Sequence, residues 1–370
     1  DGKYFTCFKD TINRRRMQKD TGMVNSSNLC TEIVLNTEPS DNVDPISAVC
    51  NLGSINTARV DFRNTEKLKK VVTLAVRMLN NVIDIGHIPH KNGKKFNDRE
   101  KAVGLGIMGY AEFLAQNNID FESEEHLYIA AEMMREISYW AINASADLAQ
   151  ERGSYEYFGK SEWAKGVLPY DTAAQAALDL IPEFDPTYGD RDAELRAKTV
   201  RGMRNSHILA IAPTATIANI CGTTECIQAP TQLVYEKENL SGTFTVVAPT
   251  LRYTKYENAK TMRTIATEWV IKAASVRQIH IDQAQSVNFY LPLDRQVKGS
   301  EISEWYKLAW RLDLKTTYYL RNKSSADEGE AKKKPLDASA ELALANTAPM
   351  EEEVPVVFCS IDTPDCEACQ

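Results

Sequence analysis

The sequence runs to 370 residues, 43% hydrophobic and 25% charged, enough to bury a substantial core and too apolar to be disordered throughout. Its formal charge of -8 argues against a general nucleic-acid binder, and no apolar stretch reaches the roughly 20 residues of a membrane span. With no signal peptide, and eight cysteines scattered through a large acidic chain, reduced thiols and a cytoplasmic location are expected.

The chain opens Asp1-Gly2-Lys3 without an initiator Met and so reads as a piece of something longer. Its first chemistry-bearing stretch is Asn28-Leu29-Cys30-Thr31-Glu32. In an extended strand residues 28, 30 and 32 share a face, which sets an amide, a thiol and a carboxylate in one row. Cys30 can exchange a hydrogen atom, Glu32 can act as general base and Asn28 can hold a polar substrate group. A half-buried strand with one inert cysteine accounts for the same pattern. Cys50 follows among apolar neighbours, where a cysteine is most often a small core residue.

From Asn64 the pattern is helical, with Leu68, Val71, Val72, Ala75, Met78, Leu79, Val82 and Ile83 on one face and Gly86 closing the run. His87 and His90 have no nearby Cys or carboxylate to complete a ligand set, so no metal is expected. Gly104-Leu105-Gly106-Ile107-Met108-Gly109 has dinucleotide-fingerprint spacing, but Asn97-Asp98-Arg99-Glu100-Lys101 ahead of it is not a buried strand. Close backbone packing is expected there rather than a nicotinamide site. A second long helix starts near Ser123, with Leu127, Ala130, Met134, Ile137, Ala141, Ala144 and Leu148 as its stripe and Gly153 as its stop.

A short strand over Ile208–Ala212 runs into Pro213-Thr214-Ala215-Thr216-Ile217 and a helix start. Free N–H groups and the helix dipole make such a turn an anion site, although an ordinary Thr N-cap explains it as well. A third helix is expected over roughly Glu257 to Ile279, and strands over Ser286–Leu291 and Lys315–Leu320. Adjacent Tyr318 and Tyr319 in a strand usually mean one inward and one outward ring. Helices alternating with short apolar strands indicate an α/β fold. Residues 322–353 are rich in Ala, Glu, Lys, Ser and Asp and read as a flexible linker to a tail over 354–370. The tail ends in Cys366-Glu367-Ala368-Cys369, a dithiol suited to thiol exchange; a zinc site would need two further ligands, and only Cys359 is near. Cys7, Cys221 and Cys226 read as structural thiols.

Taken together, these motifs resemble the catalytic large subunit of class I ribonucleotide reductases, over its C-terminal half. Ser27-Asn28-Leu29-Cys30-Thr31-Glu32-Ile33 looks like the family's finger-loop motif, at the centre of a ten-stranded α/β barrel, of which residues 1–321 would form the C-terminal part. The resemblance implies that Cys30 becomes a transient thiyl radical that takes the 3′ hydrogen of the ribose. It makes Glu32 the base for the 3′ hydroxyl and Asn28 a ligand of the substrate hydroxyls. Cys50 would be one of two thiols that reduce the 2′ carbon. Residues Pro213, Thr214, Ala215, Thr216 and Ile217 would cradle the diphosphate of a ribonucleoside diphosphate, and Tyr318 and Tyr319 would relay the radical. Cys366 and Cys369 would re-reduce the active-site disulfide and be reduced in turn by thioredoxin or glutaredoxin.

No cofactor is expected in this chain, because the resemblance puts the radical source in a metal-containing small subunit. The second substrate-facing cysteine and the ATP and dNTP effector sites would belong to an N-terminal half; Cys7 lies too close to Cys30 to serve as that cysteine. The implied partners are therefore the small subunit, thioredoxin or glutaredoxin and the N-terminal half, with no nucleic acid and no membrane. Two other readings remain: a cobalamin-dependent reductase, against which the tyrosine pair speaks, and a catalytically silent thiol module, against which intact Asn28, Cys30 and Glu32 speak.

Overall fold

The computed structural model describes residues 5–37, 45–239 and 242–322. The expected linker (from residue 323) and the tail, with Cys359, Cys366 and Cys369, lie outside the described residues. The elements run β1 (Thr6–Cys7), α1 (Lys9–Arg14), β2 (Leu52–Asn56), α2 (Thr65–Ile85), α3 (Lys91–Glu100), β3 (Gly104–Met108), α4 (Tyr110–Gln116) and α5 (Glu124–Arg152). They continue with α6 (Gln175–Leu178), α7 (Asp192–Arg201), α8 (Ala215–Ile220), β4 (Val234–Asn239) and β5 (Gly242–Val247). The last are α9 (Thr267–Gln278), β6 (Phe289–Tyr290), α10 (Gly299–Arg311), β7 (Thr316–Thr317) and β8 (Leu320–Arg321).

Five segments lie side by side and run the same way. β2 pairs with β3 from Leu52 opposite Gly104 to Asn56 opposite Met108. Leu105 then bridges Leu209, Ile211 bridges Gln285, and β6 pairs with β8. β7 offers its other edge to β1, antiparallel, with Thr6 opposite Thr317. Parallel neighbours cannot be joined by tight turns, so helices connect them, as the alternating sequence pattern requires. α2 and α5 pack on each other, α9 packs on α5, and α10 packs on α9, enclosing the main apolar core against the strands. Among the described residues the array is open, with β1 and β2 at its ends, and β4 and β5 form a separate hairpin. None of the described helices is long and apolar enough to cross a membrane.

The glycine-rich stretch is itself the buried strand β3. A Cβ on Gly106 would lie 2.5 Å from the Ala210 carbonyl oxygen and 3.0 Å from Ile211 Cα, and one on Gly104 would lie 2.7 Å from Leu52 Cδ2. Close backbone approach is therefore what these glycines provide. The first two helices also have the expected ends: Asn64 caps α2 by accepting from Lys67 N, Ser123 caps α5 by accepting from His126 N, and Gly86 and Gly153 follow the last turns.

Elsewhere the tertiary structure overrides the sequence pattern. Met78 and Val82, expected on the buried face of α2, are 58% and 55% exposed and form an open apolar row with Leu74 and Ile85. The stripe is wider than the surface its neighbours cover. The third helix is α9 alone, without residues 257–266. Lys260 is drawn to Asp120 (2.6 Å) and Glu122 (2.7 Å), the Thr264 hydroxyl bonds both the N–H and the carbonyl of Thr261, and Arg263 donates to the carbonyls of Leu291 and Arg321. Side chains that satisfy the backbone locally compete with a helix. The expected strands are likewise cut short. The Asp282 carboxylate takes the N–H groups of Ile208 (2.8 Å) and Leu209 (2.7 Å), and Asn288 Oδ1 takes that of Tyr319 (3.2 Å), so regular ladders stop there.

Gly106→Ala should test the close strand approach. With backbone on the far side, nothing flexible can yield, and overpacking of this kind costs roughly 1–3 kcal/mol. The urea midpoint of the variant should fall below that of the parent chain; an unchanged midpoint would mean that β3 and residues 210–211 can separate freely.

Candidate active site

Asn28 to Glu32 do not form the expected strand. Leu29 and Cys30 make a turn, and Thr31 takes the left-handed conformation with φ of 68°. Asn28 closes the turn from both sides: its Oδ1 accepts from Ile33 N (3.0 Å) and its Nδ2 donates to Glu32 Oε1 (2.8 Å). An Asn side chain that mimics backbone in this way is a turn former, and here that wins over the alternating polar pattern. Thr31 is held by its hydroxyl, which donates to the Thr317 carbonyl at 3.3 Å. The amide and carboxylate therefore meet across a loop, while Leu29 projects outward, 74% exposed.

Two flanking segments fix this loop. Ala284 N donates to the Glu32 carbonyl at 2.9 Å, and the Ser286 hydroxyl reaches both the Cys30 carbonyl (2.6 Å) and Glu32 Oε2 (2.9 Å). Glu32 is only 1% exposed and has no cationic partner among the described residues. Burial holds its carboxyl above the usual carboxylate range, partly offset by hydrogen bonds from its own N–H, Asn28 and Ser286.

Cys30 Sγ lies 3.4 Å from the Tyr318 hydroxyl. The Tyr318 and Tyr319 rings do not point to opposite faces; their centroids are 4.1 Å apart at 48°. The reason is the irregular backbone, in which Tyr318 N bonds the Val287 carbonyl (2.7 Å) and Tyr319 N bonds the Asn288 side chain. Phe5 packs on both rings at 5.0 and 5.1 Å, and the Arg321 guanidinium sits 3.9 Å over Tyr319. Burial, then hydrogen bonding to Cys30 and Tyr319, pushes the Tyr318 phenol far above its ordinary value, so it stays protonated at rest.

Cys50 is open to solvent just before β2, yet it feels the site. Local desolvation, followed by the negative charge of Glu32, pushes its thiol up to about 11. Residues 213–217 leave the array directly after Ile211, whose carbonyl accepts from Ser286 N at 2.9 Å. Pro213, Ala215, Thr216 and Ile217 are exposed and α8 starts at Ala215. Thr214 does not cap that helix: its Oγ1 accepts from Cys226 N at 2.7 Å, which leaves the first-turn N–H groups of α8 without a side-chain cap. Cys226 is buried and Cys7 Sγ lies 3.3 Å from Ser27 Oγ, in keeping with structural thiols, whereas Cys221 is exposed at the end of α8. His90 caps α3 by accepting from Gly93 N.

Sequence reasoning finds in Ser286 no more than the first residue of a short strand. A lone hydroxyl beside an apolar run is the available signal, but its partners lie more than 250 positions away.

A family model described as "ribonucleotide reductase, barrel domain" matches residues 1–320. The chain is 38% identical to the ribonucleoside-diphosphate reductase subunit alpha of Helicobacter pylori strain J99, over 92% of this chain and 49% of that protein. It is 36% identical to the subunit alpha of Chlamydia trachomatis serovar D, over 100% of this chain and 39% of the other, and 30% identical to the large chain of Schizosaccharomyces pombe, over 100% and 50%. The chain thus spans half or less of the length of these relatives. With the family model covering nearly all the described residues, and the parallel α/β array and the Cys30 loop lying within its span, the chain belongs to the ribonucleotide reductase barrel-domain family.

Proposed function

We propose that this chain carries the radical-bearing part of the active site of a class I ribonucleoside-diphosphate reductase large subunit. It would make deoxyribonucleotides only in company with the remaining half of that subunit and a radical-generating small subunit. The observation that carries this reading is the line Tyr319, Tyr318, Cys30, with rings 4.1 Å apart and a phenol 3.4 Å from the thiol, ending beside a buried carboxylate.

The small subunit, through its metal site, would supply the oxidising equivalent. Within this chain, a radical on Tyr318 takes the hydrogen atom of the Cys30 S–H bond, forming the phenol O–H and leaving a sulfur radical. That sulfur takes the 3′ hydrogen of the ribose, while Glu32 takes the proton of the 3′ hydroxyl and Asn28 holds the carboxylate in place. The 2′ hydroxyl leaves as water with a proton from a thiol pair, which gives two electrons to the sugar and closes as a disulfide. Cys50 is one of that pair; the other thiol would come from the missing half. Glu32 gives its proton back to the 3′ oxygen, and Cys30 finally returns its hydrogen to the 3′ carbon. The raised Cys50 value keeps that thiol protonated near neutral pH, as a hydrogen donor must be, and the raised Glu32 value brings it closer to the range where a general base works best. The uncapped N–H groups of α8 and the Thr216 hydroxyl suit the substrate diphosphate. The tail dithiol Cys366 and Cys369 would reopen the disulfide and pass its electrons on from thioredoxin or glutaredoxin. The apolar row on α2 and the open ends of the array fit a chain that is completed by further polypeptide.

In the assembled enzyme, Cys30→Ser should abolish deoxynucleotide formation while the fold persists, because a hydroxyl O–H bond is too strong for this exchange. Glu32→Gln should lower turnover roughly 10²–10⁴-fold, the usual contribution of a positioned acid–base group. Product formation near parent rates in either variant contradicts the assignment. Because Glu32 must be ionised to accept the proton, and burial raises its value, activity should fall on the acid side at a higher pH than for an ordinary glutamate.

Tyr318→Phe and Tyr319→Phe should each stop turnover yet leave nucleotide binding intact, as equilibrium binding of substrate would report; normal turnover in both argues for a radical that bypasses the pair. With Cys366 and Cys369 both changed to Ala, a rapid-quench assay should find a single round of product and no more with thioredoxin as reductant. Continued rounds would exclude the tail dithiol.

A further inference from the structure

Ser286 is 1% exposed and is fixed in the parallel array by its own backbone, whose N–H donates to the Ile211 carbonyl. Its hydroxyl faces two acceptors at once, the Cys30 carbonyl at 2.6 Å and Glu32 Oε2 at 2.9 Å. A serine has one hydrogen to donate and lone pairs with which to accept. An ionised carboxylate can only accept, so with Glu32 charged the hydrogen belongs on Oε2, where the bond is charge-assisted and stronger. When Glu32 carries a proton it can donate that proton to Ser286 Oγ. The serine hydrogen is then free to turn to the Cys30 carbonyl, which is already within reach.

We infer that Ser286 is a positioning residue of the site, whose hydroxyl holds the ionised Glu32 carboxylate and, once Glu32 has taken a proton, swings to the Cys30 carbonyl. The inference rests on the reductase reading for its catalytic consequence, although the contact itself does not. No bond to carbon or sulfur changes in this step. The proton taken from the substrate stays on Glu32, and the serine O–H merely rotates about its C–O bond. Both protonation states of the base are thus matched by a partner that is already in place, and the loop that carries the reacting thiol is tied to the state of the base. Preorganised donors of this sort cost no rearrangement at the moment of reaction.

The other groups facing Glu32 are Asn28 and Cys30 from its own loop, Cys50 before β2 and Cys226 from the turn after α8. Local desolvation and the Glu32 charge push Cys50 up to about 11 and burial pushes Cys226 up to about 12, so both stay neutral through the acid range. Asn28 serves the other carboxylate oxygen and is unaffected by a change at residue 286. Loss of the serine hydroxyl therefore removes a bond that favours the charged form, and Glu32 should protonate at a higher pH.

Two measurements test this. In the resting chain, the infrared carboxyl band of protonated Glu32, identified as the band that Glu32→Gln removes, is titrated in the parent and in Ser286→Ala. In the assembled enzyme, kcat and KM for a ribonucleoside diphosphate are followed against pH. For Ser286→Ala the band should titrate at higher pH and the acid limb of kcat should move the same way. The kcat itself should fall roughly 10–100-fold, as expected for a lost hydrogen bond to a charged group, with KM nearly unchanged. Ser286→Thr and Ser286→Val have the same shape and differ in the hydroxyl, so the Thr variant should keep the parent titration and the Val variant should not. A role limited to packing would move neither the band nor the limb, and parent-like titration in Ser286→Ala and Ser286→Val overturns the inference. A shifted band in a chain whose parent assembly makes no deoxynucleotide upholds the contact and overturns the reductase reading instead.

Discussion

A loop of five residues, Asn28 to Glu32, belongs to no ladder of its own and is held in place by hydrogen bonds from elsewhere in the chain. Residues 284 and 286 grip it on one side through the carbonyls of Glu32 and Cys30, and Thr317 accepts from Thr31 on the other. Each grip comes from a segment of the parallel array, so the array sets the position of the Cys30 sulfur far more firmly than local sequence does. The same segments fix the tyrosines, since Val287 and Asn288 receive the backbone N–H groups of Tyr318 and Tyr319. One stretch of chain, residues 284–290, thereby spaces the thiol from the phenol. The hydrogen-atom transfer proposed between them would need that spacing kept to a fraction of an ångström, and rigid strands supply it better than a free loop would.

Burial of a carboxylate without a cation is expensive, and Glu32 tolerates it because each of its oxygens has a donor, Asn28 for one and Ser286 for the other. Bonds of this charge-assisted kind are worth on the order of 1.5–3 kcal/mol each. They offset part of the desolvation but not all of it, which leaves the group more basic than a surface glutamate. A salt bridge in place of these neutral donors would have pulled the carboxyl down and made it a poor base. The electrostatics of the site are therefore set by what is absent around Glu32 in the described structure as much as by what is there.

The array is also pinned by charged side chains, buried apart from Arg14. Asp313 accepts from Arg14 and Arg15, and the Lys315 ammonium donates to the carbonyl of Asp282, whose carboxylate in turn takes the N–H groups of Ile208 and Leu209. Removing one partner from such a network leaves a buried group unsatisfied, so these contacts specify the strand arrangement even where their net stabilisation is small. They join α1, the 208–212 segment and the strand that carries the tyrosines, three regions far apart in sequence.

Much of the molecule is legible in the amino-acid order. The caps at Asn64 and Ser123 and the stops at Gly86 and Gly153 set two long helices, because capping is local chemistry. The motifs around Cys30, Cys50, residues 213–217 and Tyr318-Tyr319 point to thiol and radical chemistry through the family they resemble. Other features depended on neighbours the sequence does not name. Asn28 closes its own turn, but where that turn sits was settled by Ser286 and Thr317, and whether residues 257–266 would coil was settled by Asp120, Glu122 and the carbonyls that hold Arg263. Thr214 looked like a helix cap until Cys226 N arrived to claim its hydroxyl. Ser286 itself is unremarkable in a list of residues. Sequence determines local propensity and the kinds of chemistry available; which hydroxyl meets which carboxylate is decided only when distant segments pack, because a hydrogen bond acts over about 3 Å in space and takes no account of separation along the chain.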